Sequence, residues 1–196
     1  MRLILASNNK NKLREFKQLV EGMDIELLSQ SEAGLHLDVE ETGTTFEENA
    51  YLKAKAVTDA LGCAAVADDS GLVVDALGGE PGVYSARYGP GHDASDADRY
   101  NYLLNKLGDE KNRSARFVCC ICCTMPDGTV LRSRGEIMHG PKGDGGFGYD
   151  PVFKPDAVER GMAELTPDEK NAISHRGKAL RAFAEELKRY YNGNNK

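Results

Sequence analysis

No stretch of about 18 consecutive apolar residues occurs in the 196 residues, and no charged segment followed by an apolar one opens the chain. A membrane span needs the first and a secretion signal the second, so neither is expected and the chain reads as cytoplasmic, with no membrane partner. A basic excess is missing too: 25 Lys and Arg face 31 Asp and Glu, a net charge of −6. Binding duplex DNA without sequence preference depends on a net basic face that releases counterions, so nucleic acid is not the expected partner. A small phosphorylated ligand needs only a local knot of cations. Internal repeats, low-complexity tracts and linkers are likewise absent. At 40% hydrophobic and 29% charged residues the composition is that of an ordinary folded protein, read here as a single two-lobed domain over residues 1–196.

A paired set of cysteines is also wanting. The chain has five, Cys63 and the cluster Cys119-Cys120-Ile121-Cys122-Cys123, and an odd number in a non-secreted chain disfavours a disulfide framework. The C-x-x-C spacings invite a zinc reading, but Phe117 to Thr124 lacks the turn residues of a knuckle and no second Cys or His pair comes after it at a fitting spacing. The cluster is expected to fill a strand as small hydrophobes.

What is present centres on Val66-Ala67-Asp68-Asp69-Ser70-Gly71-Leu72-Val73-Val74, an apolar strand-like run interrupted by two adjacent carboxylates. An ionised carboxylate is costly to bury unless a cation, a metal or a hydrogen-bond donor compensates it. Alternation along a strand sends Asp68 and Asp69 to opposite faces, so at most one serves a given cleft directly. The competing reading is a strand that stops and turns through Asp-Ser-Gly.

Arg2 to Ala6 is a short apolar run, and the polar loop Ser7-Asn8-Asn9-Lys10-Asn11-Lys12 leads into Leu13, Phe16, Leu19 and Val20 at helical spacing. Such a junction aims backbone N–H groups and a positive dipole end at the loop, which suits phosphate, and two lysines reinforce it. The glycines of a Walker A or dinucleotide fingerprint are missing, so a solvated helix cap remains the alternative. Ile25 to Leu28 reads as a second strand. Asp38 to Thr45 is a carboxylate-rich loop closing on a cap at Thr44 or Thr45, with Glu47 and Glu48 near the third position. The next helix, Phe46 to Leu61, puts Asn49, Lys53 and Ala56 close to one line. From that line Lys53 projects into a cleft or, as surface lysines do, into solvent.

Leu77 to Tyr88 is a structured loop, Ala94 to Leu107 a helix, and Ala115 to Met125 with Thr129 to Ile137 a hairpin about Pro126-Asp127-Gly128. Gly140 to Asp150 holds five glycines, which suits backbone held against a flat ligand, a long flexible loop being the alternative. A last helix, opening at Thr166-Pro167-Asp168-Glu169 and running to Tyr190, carries Lys170, His175 and Arg176. The polar segments thus offer cations (Lys10, Lys12, Lys53, Lys170, Arg176), carboxylates (Glu40, Glu41, Asp68, Asp69) and an aromatic-glycine run from Phe147 to Asp150. That inventory suits a nucleotide with magnesium.

The chain closely resembles the inosine/xanthosine triphosphate pyrophosphatase family. The resemblance runs nearly end to end on separate motifs: Ser7 to Lys12, Glu40 to Ala50, Ala67 to Leu72, Leu77 to Tyr88, Gly145 to Pro151, and Ala163 through Lys170 to Arg176. It implies hydrolysis of ITP, dITP and XTP between the α and β phosphates, with Mg2+, to the monophosphate and pyrophosphate, keeping hypoxanthine and xanthine out of nucleic acids. It implies that Ser7, Asn9 and Lys12 with Lys53 hold the triphosphate, Asn8, Lys10, Asn11 and Ser70 belonging to the same binding set. Glu41, or its neighbour Glu40, and Asp69 would bind the metal; Asp69 would also be the general base, assisted by Asp68. Phe147 would stack on the purine, while Gly148, Tyr149, Asp150, Lys170, His175 and Arg176 shape the base and sugar pocket. The implied fold is α/β, a long mixed sheet flanked by helices in two lobes with the cleft between them, and the implied assembly a homodimer.

Hypoxanthine and xanthine present a 6-keto acceptor where adenine presents an amine donor, so a fixed donor such as Arg176 favours them. Two other readings compete: a purine-nucleotide sensor without turnover, which would not need the acids at 41, 68 and 69, and a hydrolase releasing orthophosphate or acting on modified pyrimidines.

Overall fold

The computed structural model describes residues 1–89, 91, 94–140, 149, 154–155 and 159–194. In chain order these form β1 (Arg2–Leu5), α1 (Lys10–Leu19), β2 (Glu26–Ser29), α2 (Phe46–Leu61), β3 (Ala64–Val74), α3 (Asp96–Leu107), β4 (Ala115–Thr124), β5 (Val130–Gly140), β6 (Lys154–Pro155), α4 (Pro167–Ile173) and α5 (His175–Asn194). The strands make one six-stranded sheet in the order β2-β1-β3-β4-β5-β6. Strand β1 runs parallel to both neighbours, Leu3 pairing with Leu27 on β2 and with Ala64 on β3, while β5 and β6 are antiparallel. The sheet is therefore mixed, as expected. Helices α1 and α2 are the crossovers that parallel neighbours require. No helix among the described residues is long and apolar enough to cross a membrane.

The chain divides into two compact units, Met1–Asp69 with Cys120–Arg134 and Ala179–Lys196, and Ser70–Cys119 with Gly135–Lys178. In the first, Ile4, Val57 and Ala65 form a buried cluster edged by Ala6, Leu28, Leu61 and Cys63. In the second, Leu72, Val74, Leu103, Leu107, Phe117, Tyr149 and Met162 pack together. Strand β3 contributes to both units, its residues up to Asp69 to the first and those from Ser70 to the second.

Helix α2 occupies the span its periodicity predicted, because both ends are specified. Thr45 and Glu48 form a reciprocal capping box, the Glu48 N–H donating to Thr45 Oγ1 at 3.1 Å and the Thr45 N–H to Glu48 Oε2 at 3.2 Å. At the other end Gly62 takes the left-handed conformation, φ 63°, that stops the helix. Helix α1 starts earlier than the polar loop suggested. Asn9 caps it by accepting from the N–H groups of Asn11 and Lys12, so Lys10, Asn11 and Lys12 lie in its first turn. Strand β3 does not stop at Asp-Ser-Gly: it continues unbroken to Val74. Within the expected loop at 77–88 lies a short 3-10 turn, Gly82–Arg87, tied to β3 through the Leu72 N–H, which donates to Ser85 Oγ at 2.9 Å.

The helix expected from Thr166 to Tyr190 is two helices. Ser174 takes extended backbone, φ −62° and ψ 156°, ends α4, and accepts the Gly177 N–H on its Oγ at 3.0 Å, which caps α5. Glycine at 177 makes the break sterically possible, since a Cβ there would lie 1.9 Å from the Asn171 carbonyl oxygen. The cysteine cluster occupies β4, where Cys119, Cys120, Cys122 and Cys123 are buried as thiols, outside any disulfide. Burial raises the pKa of Cys120 and Cys123 and pushes Cys122 up to about 11.

Gly177→Ala should therefore destabilise the protein by roughly 1–3 kcal/mol, the usual cost of forcing an extra methyl into packed structure, read as a fall in Tm. An unchanged Tm would mean the break tolerates a side chain.

Candidate active site

The first unit brings five of the expected residues into one buried cluster from three kinds of element. Strand β3 supplies Asp68 and Asp69, both buried; helices α1 and α2 supply Lys12 and Lys53; the loop before α2 supplies Glu41. Lys12 Nζ lies 2.7 Å from Asp68 Oδ1, an ion pair in which the Asp68 side chain is 0% exposed and Lys12 20%. Lys53 Nζ bridges two acids, donating to Glu41 Oε1 at 2.8 Å and to Asp69 Oδ1 at 3.0 Å. Adjacent strand residues thus take different lysines from different helices. Both nonetheless belong to one cluster, since Asp68 also acts on Lys53 and Lys12 on Asp69, so the expectation that only one of the two serves a given cleft does not hold. The reading of Lys53 as a surface lysine is not what the fold adopts.

Burial works against the Lys53 charge, but Asp69, Glu41 and Asp68 more than offset it and hold its pKa above the ordinary lysine value. For Asp69 the balance goes the other way. Burial pushes its carboxyl upward, Glu41 adds to the push, and Lys53 and Lys12 compensate only in part. The pair therefore holds a firmly protonated ammonium against a carboxylate more basic than usual.

Asn49 was outside the set of site residues expected from sequence, yet it joins the cluster. It is fully buried, donates from Nδ2 to Asp69 Oδ2 at 3.4 Å, and accepts the Gly43 N–H on Oδ1 at 2.8 Å. The available signal was its place on one helix line with Lys53.

Around the start of α1, Ser7 Oγ accepts the Asn9 N–H at 3.2 Å, and Asn8 Oδ1 accepts from Ser31 Oγ at 2.5 Å, so the segment before the helix is held by its own hydrogen bonds. Lys10 and Asn11 are exposed on the first turn of α1; Glu40 is exposed, whereas Glu41 faces Lys53. In the second unit Ser70 is half-buried on β3, and Lys170 and Arg176 are half-buried. His175 is buried, its ring stacked on Phe117 with centroids 4.8 Å apart. Tyr149 is buried in that unit's core, with its hydroxyl donating to the Ser85 carbonyl at 3.1 Å and its pKa raised by burial. Phe147, Gly148 and Asp150 lie outside the described residues.

Among the described residues no group of three or more His, Cys, Asp and Glu side chains gathers as a metal cage. The oxygen donors of Glu41 and Asp69 converge on a single ammonium. Two hard carboxylates, with the rest of the coordination left to phosphate and water, fit magnesium better than a metal needing a full protein cage.

The model of the Ham1 family matches residues 3–186. The chain belongs to the Ham1 family. It is 49% identical over 190 residues to the dITP/XTP pyrophosphatase of Nostoc sp., covering 94% of this chain and 93% of that protein. The solved HAM1 protein of Coxiella burnetii is 41% identical, with a TM-score of 0.90 over 96% of this chain and 99% of its own. The Ham1 protein of Staphylococcus aureus is 42% identical, with a TM-score of 0.89 over 96% and 98%. The mixed sheet of this Ham1-family chain is therefore shared by its solved relatives, as the motif-based resemblance implied.

Lys12→Met should remove the ammonium that meets the Asp68 carboxylate at 2.7 Å. Breaking a buried pair by removing one partner costs roughly 3–5 kcal/mol, and the partial exposure of Lys12 places the loss at or below the low end of that range. Lys12→Met combined with Asp68→Asn should recover part of it in denaturant unfolding; additive losses would show that the pair does not couple.

Proposed function

We propose that the chain hydrolyses the triphosphates of non-standard purines, ITP, dITP and XTP, to the nucleoside monophosphate and pyrophosphate. The observation that carries this reading is the Lys53–Asp69–Glu41 and Lys12–Asp68 cluster in a chain that shares nearly its full length with a dITP/XTP pyrophosphatase. A sensor module would have no use for buried acids held against lysines. A reaction that splits one phosphoanhydride needs anionic oxygens neutralised, a water deprotonated and the two kept in line.

In this reading Lys12 and Lys53 neutralise the triphosphate, with the positive end of the α1 dipole and the side chains of Ser7, Asn8, Asn9, Lys10 and Asn11 beside them. Asp69, held by Lys53 and Asn49 with its two oxygens on different donors, takes the proton of the attacking water. Glu41 and Asp69 would hold Mg2+, Glu40 being directed to solvent. Bound there, the ion supplies charge neutralisation on the phosphate oxygens. Arg176 donates to the 6-keto oxygen of the base, and Ser70, Lys170, His175 and Tyr149 contribute to base and sugar recognition, a reading supported by their sequence motifs. Phe147, Gly148 and Asp150 complete the base pocket on the strength of the sequence motif. The same resemblance supports a cytoplasmic homodimer.

With ITP as substrate, the product should be pyrophosphate; orthophosphate would sink the reading. Asp69→Asn should keep the fold and nucleotide binding but lose turnover by orders of magnitude, since a base and a metal ligand disappear together. Near-normal kcat at saturating magnesium would remove Asp69 from that role. Arg176→Ala should lower kcat/KM for ITP far more than for ATP, because a fixed donor facing an amine gains nothing from it. Equal losses for the two nucleotides would assign Arg176 to the phosphates or the fold.

A further inference from the structure

Asn49 is a fully buried polar side chain of the first unit that the proposed mechanism leaves unused. Its orientation is fixed by chemistry. A backbone N–H only donates, so the atom 2.8 Å from the Gly43 nitrogen must be the amide oxygen, which turns the NH2 toward Asp69 Oδ2 at 3.4 Å. Lys53, one turn further along α2, donates to the other oxygen, Oδ1, at 3.0 Å. Both oxygens of Asp69 are thus addressed from one helix face at i, i+4 spacing, which leaves the carboxylate little freedom to rotate. The same two side chains also hold the acidic loop, Lys53 at Glu41 and Asn49 at Gly43. The contact at Gly43 is close: a Cβ there would lie 2.6 Å from Asn49 Oδ1 and 2.7 Å from Glu48 Cβ.

We infer that Asn49 is a positioning residue that acts through Asp69, orienting its carboxylate and fixing the Glu41 loop in register with it. This rests on the pyrophosphatase reading. A charge-neutral amide does what a second lysine would not, since it fixes the geometry without weakening the base. Misplacing a catalytic group by about an ångström costs on the order of 100-fold, and loss of a residue that orients a ligand typically costs about 10–100-fold.

The test uses three variants, each read for kcat, KM, Tm and circular dichroism beside the wild type, with ITP and with pyrophosphate and orthophosphate measured separately. Asn49→Asp keeps the acceptor for the Gly43 N–H and removes the donor to Asp69; Asn49→Ala removes both; Gly43→Ala leaves both residues and pushes them apart. The expected result is a folded protein in which kcat falls about 10–100-fold while KM stays within about threefold, since triphosphate binding depends on Lys12 and Lys53. Asn49→Asp or Gly43→Ala with wild-type kcat overturns the inference. So does loss of fold in both Asn49 variants, which would make Asn49 a core residue and nothing more. A wild type that releases no pyrophosphate from ITP fails the functional reading itself, whatever the variants do.

Discussion

Two neighbouring carboxylates in the middle of a buried strand set the terms for everything around them. Taking an ion out of water costs several kcal/mol even after relaxation, so Asp68 and Asp69 persist as charges only because cations meet them at contact distance. Each lysine has to come from an element fixed relative to β3, and the crossover helices α1 and α2 are such elements. Their start points then become constrained as well. Asn9 and the Thr45–Glu48 box set where each helix begins, and so which way Lys12 and Lys53 point. A one-residue slip in α2 would turn Lys53 and Asn49 by about 100° around the helix axis and take both away from Asp69.

Much of this was legible in the amino-acid sequence because it was written in local signals. The span of α2 came from its cap and its periodicity, the hairpin about Pro126-Asp127-Gly128 from its turn residues, and the burial of the β4 cysteines from an apolar run without a knuckle. The alternation argument kept Asp68 apart from Asp69, and they do take different lysines, but it did not foresee that both would belong to one cluster. What sequence could not supply was tertiary. Nothing local distinguishes Glu41 from Glu40 or a surface Lys53 from a buried one, because the answer depends on where β3 passes. Asn49 lay on the predicted line with Lys53, but its role needs the Gly43 N–H, six residues earlier, and Asp69, twenty residues later, at the same time.

The break at Ser174 was missed for a related reason. Thr166-Pro167-Asp168-Glu169 announces a helix, and no proline interrupts the residues beyond it, so propensity favours continuity. A serine that ends one helix and caps the next is visible only with the packing of Gly177 against Asn171 in view. As a result His175 and Arg176 open a new helix, α5, instead of riding in the middle of an old one. Their backbone N–H groups belong to a fresh positive dipole end.

Strand β4 carries four sulfur atoms in five consecutive residues without becoming a chemical liability. Peroxides and disulfides are attacked by thiolates, and the burial that packs Cys120, Cys122 and Cys123 also keeps their protons on well above neutral pH. Access points the same way: the four β4 sulfurs are buried, whereas among the described residues the sulfurs of Met1, Met23 and Cys63 are half-buried and stand nearer to any oxidant in solution.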